Sequence, residues 1–218
     1  EKIIIENNKA IGVEYKNNHG EFNKHFTNKE VILAAGSFIT PKILMLSGIG
    51  NADELNLHNI QCIANLPGVG ENLIDHPECP LIAKANGKYG YFKQGKGWRM
   101  IKNGLEFLLF GTGPVNSTGV EAGAFINPID PDDLPYIQAF FLPSIYMNSD
   151  TIGVIDDDYG MSITTVMTKP RSRGSVKIKS KNPDDRPIIE LNLLKDSKDL
   201  KMMVAGQKFF LQAFKQGP

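Results

Sequence analysis

The sequence predicts a mixed fold. An α/β segment over residues 1–75 precedes an α+β part over residues 76–218, the latter a mainly antiparallel sheet with flanking helices. Three observations carry this expectation. Val31-Ile32-Leu33 is a bare apolar run that passes into the small residues Ala34-Ala35-Gly36 and then into a helical pattern, as a strand covered on both faces does when it feeds a helix. Residues 2–27 alternate in short stretches broken by Asn and Gly, the pattern of a meander. Residues 120–126, 136–142 and 161–167 are apolar stretches separated by acidic or polar turns, which suits an antiparallel sheet.

Composition narrows the function classes. Lys plus Arg (24) balances Asp plus Glu (24), so no broad field of one sign favours nucleic acid or another polyelectrolyte. The 41% hydrophobic and 22% charged content is ordinary for a globular protein. No apolar run approaches the ~20 residues of a membrane span. Cys62 and Cys79 are too few for a disulfide framework or a cysteine-rich zinc site. The chain opens on Glu1-Lys2-Ile3-Ile4-Ile5 without Met or a leader and closes on Gly217-Pro218. It reads as an internal piece of a longer protein.

Residues 2–5 and 10–16 read as strands around Asn7-Asn8-Lys9, because adjacent Asn residues tolerate positive φ. Asn17-Asn18-His19-Gly20 turns the chain into a third strand over residues 21–27. After the strand over residues 30–35, Thr40 is the expected N-cap and Pro41 the expected first helical residue, with Gly48 as the stop. A short capped turn follows at Asn51, then a brief strand within residues 59–65. In an open α/β sheet, a strand's carboxyl end beside a helix N-terminus is where a cofactor lies against main chain. Ala35 and Gly36 are therefore candidate cofactor neighbours.

Leu66 to Pro77 is an open run with turn signals at Pro67-Gly68 and Gly70, within which Asn72, Asp75 and His76 lie close together. Asp75 and His76 read as a buried pair pinning the loop rather than as a catalytic or metal pair, since no third partner stands beside them. Residues 87–97 read as a surface loop. Residues 98–110 can form a helix in which Trp98, Phe107 and Phe110 read as core packing rather than a substrate wall. The acidic stretches at 130–133 and 156–158 lack calcium-loop spacing and read as solvated turns. Val176 and Ile178 alternate with Lys177 and Lys179 as in a half-exposed strand, and residues 198–214 form a helix capped by Asp196 or Ser197, with Leu200, Met203, Val204, Leu211 and Phe214 on one face.

Gly36-Ser37, Thr40-Pro41, Leu44-Met45 and Ser47-Gly48-Ile49-Gly50 together resemble the second signature of the glucose-methanol-choline (GMC) oxidoreductases, flavoenzymes that oxidise alcohols and sugars. Val69-Gly70-Glu71-Asn72-Leu73-Ile74-Asp75-His76 and the segment Lys169 to Ser180 are similar to two further stretches of that family, in its order. Gly113-Pro114-Val115 and Val120-Glu121 look most like its insect, glucose dehydrogenase-like members.

The resemblance implies part of an FAD-binding Rossmann-like domain over residues 1–75 and an incomplete substrate domain over residues 76–218. It implies FAD as cofactor, with Ala35, Gly36, Asn72 and Asp75 as its neighbours, and hydride transfer from the CH–OH group of an alcohol or sugar. The family's glycine-rich dinucleotide loop and its acid–base histidine have no counterpart here, so no catalytic residue is assigned and His76 is not that histidine. These residues alone are then expected neither to hold FAD tightly nor to turn over. Secretion follows from the resemblance only. The rival readings are a non-catalytic scaffold that kept the fold, and a hydrolase, for which the Gly-x-Ser-x-Gly elbow is missing.

Overall fold

The structure, a computed structural model, describes residues 1–146 and 158–216. In chain order, β1 (Lys2–Glu6), β2 (Lys9–Lys16) and β3 (Phe22–Phe26) precede α1 (Gly36–Leu46). Next come β4 (Ile49–Gly50), α2 (Ala52–Leu57), β5 (Ala64–Asn65), β6 (Glu71–Leu73) and β7 (Glu78–Lys84). Then α3 (Gly97–Phe110) leads to β8 (Ala122–Ile126), β9 (Ile137–Leu142) and β10 (Gly160–Met167). The chain closes through β11 (Gly174–Lys177), β12 (Ile188–Glu190) and α4 (Ser197–Ala213).

Two compact units result. One joins Glu1–Asp75 to Ser172–Leu193, and the other joins His76–Arg171 to Leu194–Pro218. The segment Ser172–Leu193, which sequence alone put in the later part, therefore folds with the first. The cause is pairing: β11 lies between β12 and β6, and the Val176 N–H donates to the Gly70 carbonyl at 2.6 Å.

In the first unit, β1, β2 and β3 form an antiparallel meander. Asn7 and Asn8 both turn with positive φ, 48° and 61°, as the strand twist of a tight hairpin requires. The core is Met45 of α1, Leu55 of α2 and Ile178 after β11, with Cys62 and Val69 packed against it. Ser47 ties the meander to α1: its Oγ accepts from the Ile3 N–H at 2.8 Å and donates to the Ile43 carbonyl at 2.6 Å. Asn51 caps α2 through the N–H groups of Asp53 and Glu54.

Two expectations fail here. Residues 31–35 form no strand, and Ile32 is exposed. An apolar run becomes a strand only when neighbours take up its backbone groups, and no described strand pairs with this one. Helix α1 starts at Gly36 rather than at Pro41, which sits inside it. Thr40 is no cap for a later start. Its hydroxyl reaches back one turn to accept from the Ala35 N–H at 3.1 Å.

The second unit is built on the antiparallel sheet β7-β10-β9-β8 with α4 packed against it. Ile137, Ala139, Ile163 and Met167 of the sheet meet Met203 and Phe210 of α4. Each large apolar side chain buried in this way contributes about 1.5–3 kcal/mol. Gly206 lets the helix close on the sheet, since a Cβ there would already stand 3.2 Å from the Ile137 side chain. A polar pair lies under the same helix: Gln207 Nε2 and Thr165 Oγ1 both donate to the Cys79 carbonyl, at 2.8 and 2.9 Å. Helix α3 contradicts the expected core packing of Trp98, Phe107 and Phe110. All three are exposed, and Asn103 is the helix's buried residue.

Candidate functional site

Ala35 and Gly36 stand at the start of α1, Ala35 as its N-cap. Both are exposed. Gly36 takes φ +80°, and a Cβ built on it would meet nothing within 4 Å, so the space in front of this backbone is open. No side chain caps α1, and its first turn carries no acidic residue. The positive end of the helix dipole and its unpaired N–H groups are thus free to face an anionic group.

Asn72 and Asp75 are exposed as well, Asn72 on β6 and Asp75 two residues beyond it. The backbone explains the Gly-x-Asn spacing. Gly70 takes φ +81°, and a Cβ there would stand 2.2 Å from the Val176 carbonyl oxygen, so β11 admits only glycine. Asn72 takes φ +59°, the left-handed region that Asn tolerates best among residues with a Cβ. Strand β6 pairs with β11, and α1 packs on β11, so α1 and β6 share that strand as a neighbour within the first unit. Asp75 and His76 are both exposed rather than a buried pair.

Two polar constellations of the second unit were not legible as sites. Ser117 and Tyr91 both donate hydroxyl hydrogen bonds to one oxygen of Glu121. The Ser117 hydroxyl, then the Tyr91 hydroxyl, hold the Glu121 carboxyl below the usual carboxylate range. In return the Glu121 carboxylate pushes the Tyr91 phenol up. A Ser four residues before a Glu was the signal for half of this; the partner thirty residues upstream gave none. Asp199, buried on α4, accepts the Arg171 N–H at 2.9 Å on each carboxylate oxygen. It lines a cavity of about 220 Å³ with Tyr136, Met167 and Met202. A helical pattern read for its apolar face passes over such a residue. Among the described residues, no three His, Cys, Asp or Glu side chains are gathered to hold a metal ion.

Two family models, each described as GMC oxidoreductase, match residues 1–78 and residues 170–218. An alcohol dehydrogenase [acceptor] of Pseudomonas putida is 36% identical over 213 residues, covering 95% of this chain and 38% of the relative. The mitochondrial choline dehydrogenase of Homo sapiens is 35% identical over 199 residues, covering 91% of this chain and 33% of the relative. Among solved structures, a formate oxidase of Aspergillus oryzae described for its FAD modification superposes with a TM-score of 0.78 at 25% identity, over 95% of this chain and 41% of the other. The chain thus spans about a third to two fifths of the length of these proteins. The matched models take in the α1 turn, the Gly70–Asn72 backbone and the strand that pairs with it, and the chain belongs to the GMC oxidoreductase family.

Proposed function

We propose that this chain supplies part of an FAD-dependent oxidoreductase that removes hydride from the CH–OH group of a small alcohol. The observation that carries the reading is the open, uncapped start of α1 at Ala35 and Gly36, within a segment matched by the family. The residues fit a flavin dinucleotide: bare backbone at Gly36, a positive helix end, and no acidic residue in the first turn of α1. Ala35 and Gly36 would lie against the cofactor, with Asn72 and Asp75 as further neighbours. Residues 1–75 with 172–193 would belong to the flavin-binding domain, and the antiparallel sheet of the second unit to the substrate domain. FAD, when bound, supplies the hydride acceptor. This chain's own residues hold and orient; none is given the proton-transfer role.

An alcohol is favoured over a sugar because the curated relatives named above are dehydrogenases of alcohols and of choline. Gly113-Pro114-Val115 and Val120-Glu121 support the glucose dehydrogenase-like alternative. The test uses the holoenzyme that contains this chain, mixed without oxygen with a primary alcohol, choline or glucose while visible flavin absorbance is followed. Bleaching by the alcohol or by choline ahead of glucose is expected. Faster bleaching by glucose would move the assignment to sugars, and a bound flavin that none of them reduces would favour the scaffold reading.

A further inference from the structure

Helix α3 is built the opposite way round from a helix that packs on its own core. Its inward residue is Asn103, 6% exposed, whose Nδ2 donates to the carbonyl and side-chain oxygens of Gln94 at 3.0 and 3.1 Å. At 100° per residue, Trp98, Ile101, Leu105, Leu108 and Leu109 share one stripe turned away from Asn103. Trp98, Leu108 and Leu109 are 74%, 78% and 71% exposed.

The charges around this stripe are sorted. Between Lys84 and Phe110 the chain carries Lys84, Lys88, Lys93, Lys96, Arg99 and Lys102, all exposed, against the single acid Glu106. The zero net charge of the whole chain hides this segregation. The basic strap is also held in place. Tyr91 N–H donates to the Pro143 carbonyl at 2.8 Å, Ala85 N–H to that of Tyr159 at 2.9 Å, and Phe92 meets the Tyr159 ring edge-on at 4.9 Å.

An apolar stripe with a tryptophan, in a segment that carries six exposed cations and one acid, suits an anionic bilayer. We propose that α3 and the strap before it form a docking surface for an anionic lipid bilayer. The helix lies in the headgroup layer with its Trp98–Leu109 stripe toward the acyl chains, and the lysines reach the lipid phosphates. No described helix is long and apolar enough to cross a membrane, so the contact is made along the surface.

Trp98 is the sole tryptophan of these 218 residues, and comparison with a Trp98→Phe variant isolates its emission in the holoenzyme. The experiment mixes the purified holoenzyme that contains this chain with phosphatidylcholine vesicles, with or without phosphatidylglycerol, and follows Trp98 emission and co-sedimentation. A blue shift and pelleting are expected with the anionic vesicles only, both reversed by high salt. Replacing Lys93→Gln and Lys96→Gln together should weaken binding roughly 25-fold, at about 1 kcal/mol per lysine. Leu108→Ser with Leu109→Ser should abolish the shift while far-UV circular dichroism stays unchanged. If that pair fails to fold, the lysine pair decides. The proposal is overturned if anionic vesicles leave Trp98 unshifted, or if neutral vesicles shift it equally. A stripe shielded by a dimer that binds no vesicle would overturn it too, marking the face as an interface between copies.

Discussion

Gly36 and Gly48 flank α1, and both have positive φ, yet they meet different surroundings. A Cβ at Gly36 would stand in open space, whereas one at Gly48 would stand 2.5 Å from the Gln61 carbonyl oxygen. Gly36→Ala should therefore cost only the backbone strain, about 1–2 kcal/mol. Gly48→Ala adds a backbone collision and should cost at least ~1 kcal/mol more in urea unfolding. Flavin retention in the holoenzyme should rank the other way, with Gly36→Ala the more damaging. Equal flavin loss would remove Gly36 from the cofactor's neighbourhood. The Tyr91–Glu121 contact gives a pH test. Glu121 is depressed from its ordinary 4.5, so its contribution is present above that value and lost as pH falls through the lower folded pKa. Tyr91 is raised from 10.0, so its contribution is present below that value and lost as pH rises through the higher folded pKa. Glu121→Gln should flatten both limbs of the stability profile; a profile with limbs unchanged would mean that the contact does not couple to folding.

At the scale of elements, α4 separates what a pattern shows from what packing decides. Its existence was legible, and of the two caps the pattern allowed, Asp196 or Ser197, it is Asp196 that accepts from the Lys198 N–H, at 2.8 Å. Its face was legible only in part: Met203 is buried as expected, but Leu200, Val204 and Leu211 are exposed, and Asp199, Gly206 and Phe210 take the inner side. Met203→Ala should cost about 2–5 kcal/mol by leaving a cavity against β10, and Leu200→Ala much less. Equal losses in thermal or urea unfolding would put the helix on the sheet by the wrong side. The hairpin turns at Asn7-Asn8 and at Gly20 were readable because they are set by local φ preference. Strand β7 was not, because Pro80 speaks against a strand; the structure admits it by setting β7 at the sheet edge. The run Val31-Ile32-Leu33 failed in the opposite sense, for apolarity marks a strand without supplying the neighbours it needs. Of the candidate site, the glycine positions were legible from backbone demand, and the Tyr91–Glu121 contact was not, because it joins residues far apart in sequence.

The whole molecule is organised by a return of the chain that no local pattern announces. Residues 1–75 hold eight elements, β1 to β6 with α1 and α2, and the core residues Met45 and Leu55, but not the segment that closes that core. Val176 takes the Gly70 carbonyl, Ile178 packs with Met45 and Leu55, and the Lys42 ammonium donates to the carbonyls of Pro183 and Asp185, each at 2.6 Å. A fragment cut after Asp75 would expose that core on one side and leave the backbone of β6 unpaired, each buried group so orphaned costing about 1–3 kcal/mol. Such losses are comparable to the whole stability of a small domain, about 5–15 kcal/mol. Residues 1–75 alone should therefore show no cooperative urea transition by circular dichroism. Leu73 faces Gly174 in the antiparallel pair, so a short glycine turn can join Asp75 to Ser172 without straining either strand. That joined chain, ending at Leu193, should regain a cooperative transition. If residues 1–75 unfold cooperatively at the same midpoint without the returning segment, then β11 decorates a domain that is already complete, and the family resemblance of residues 172–193 needs another explanation than closing this core.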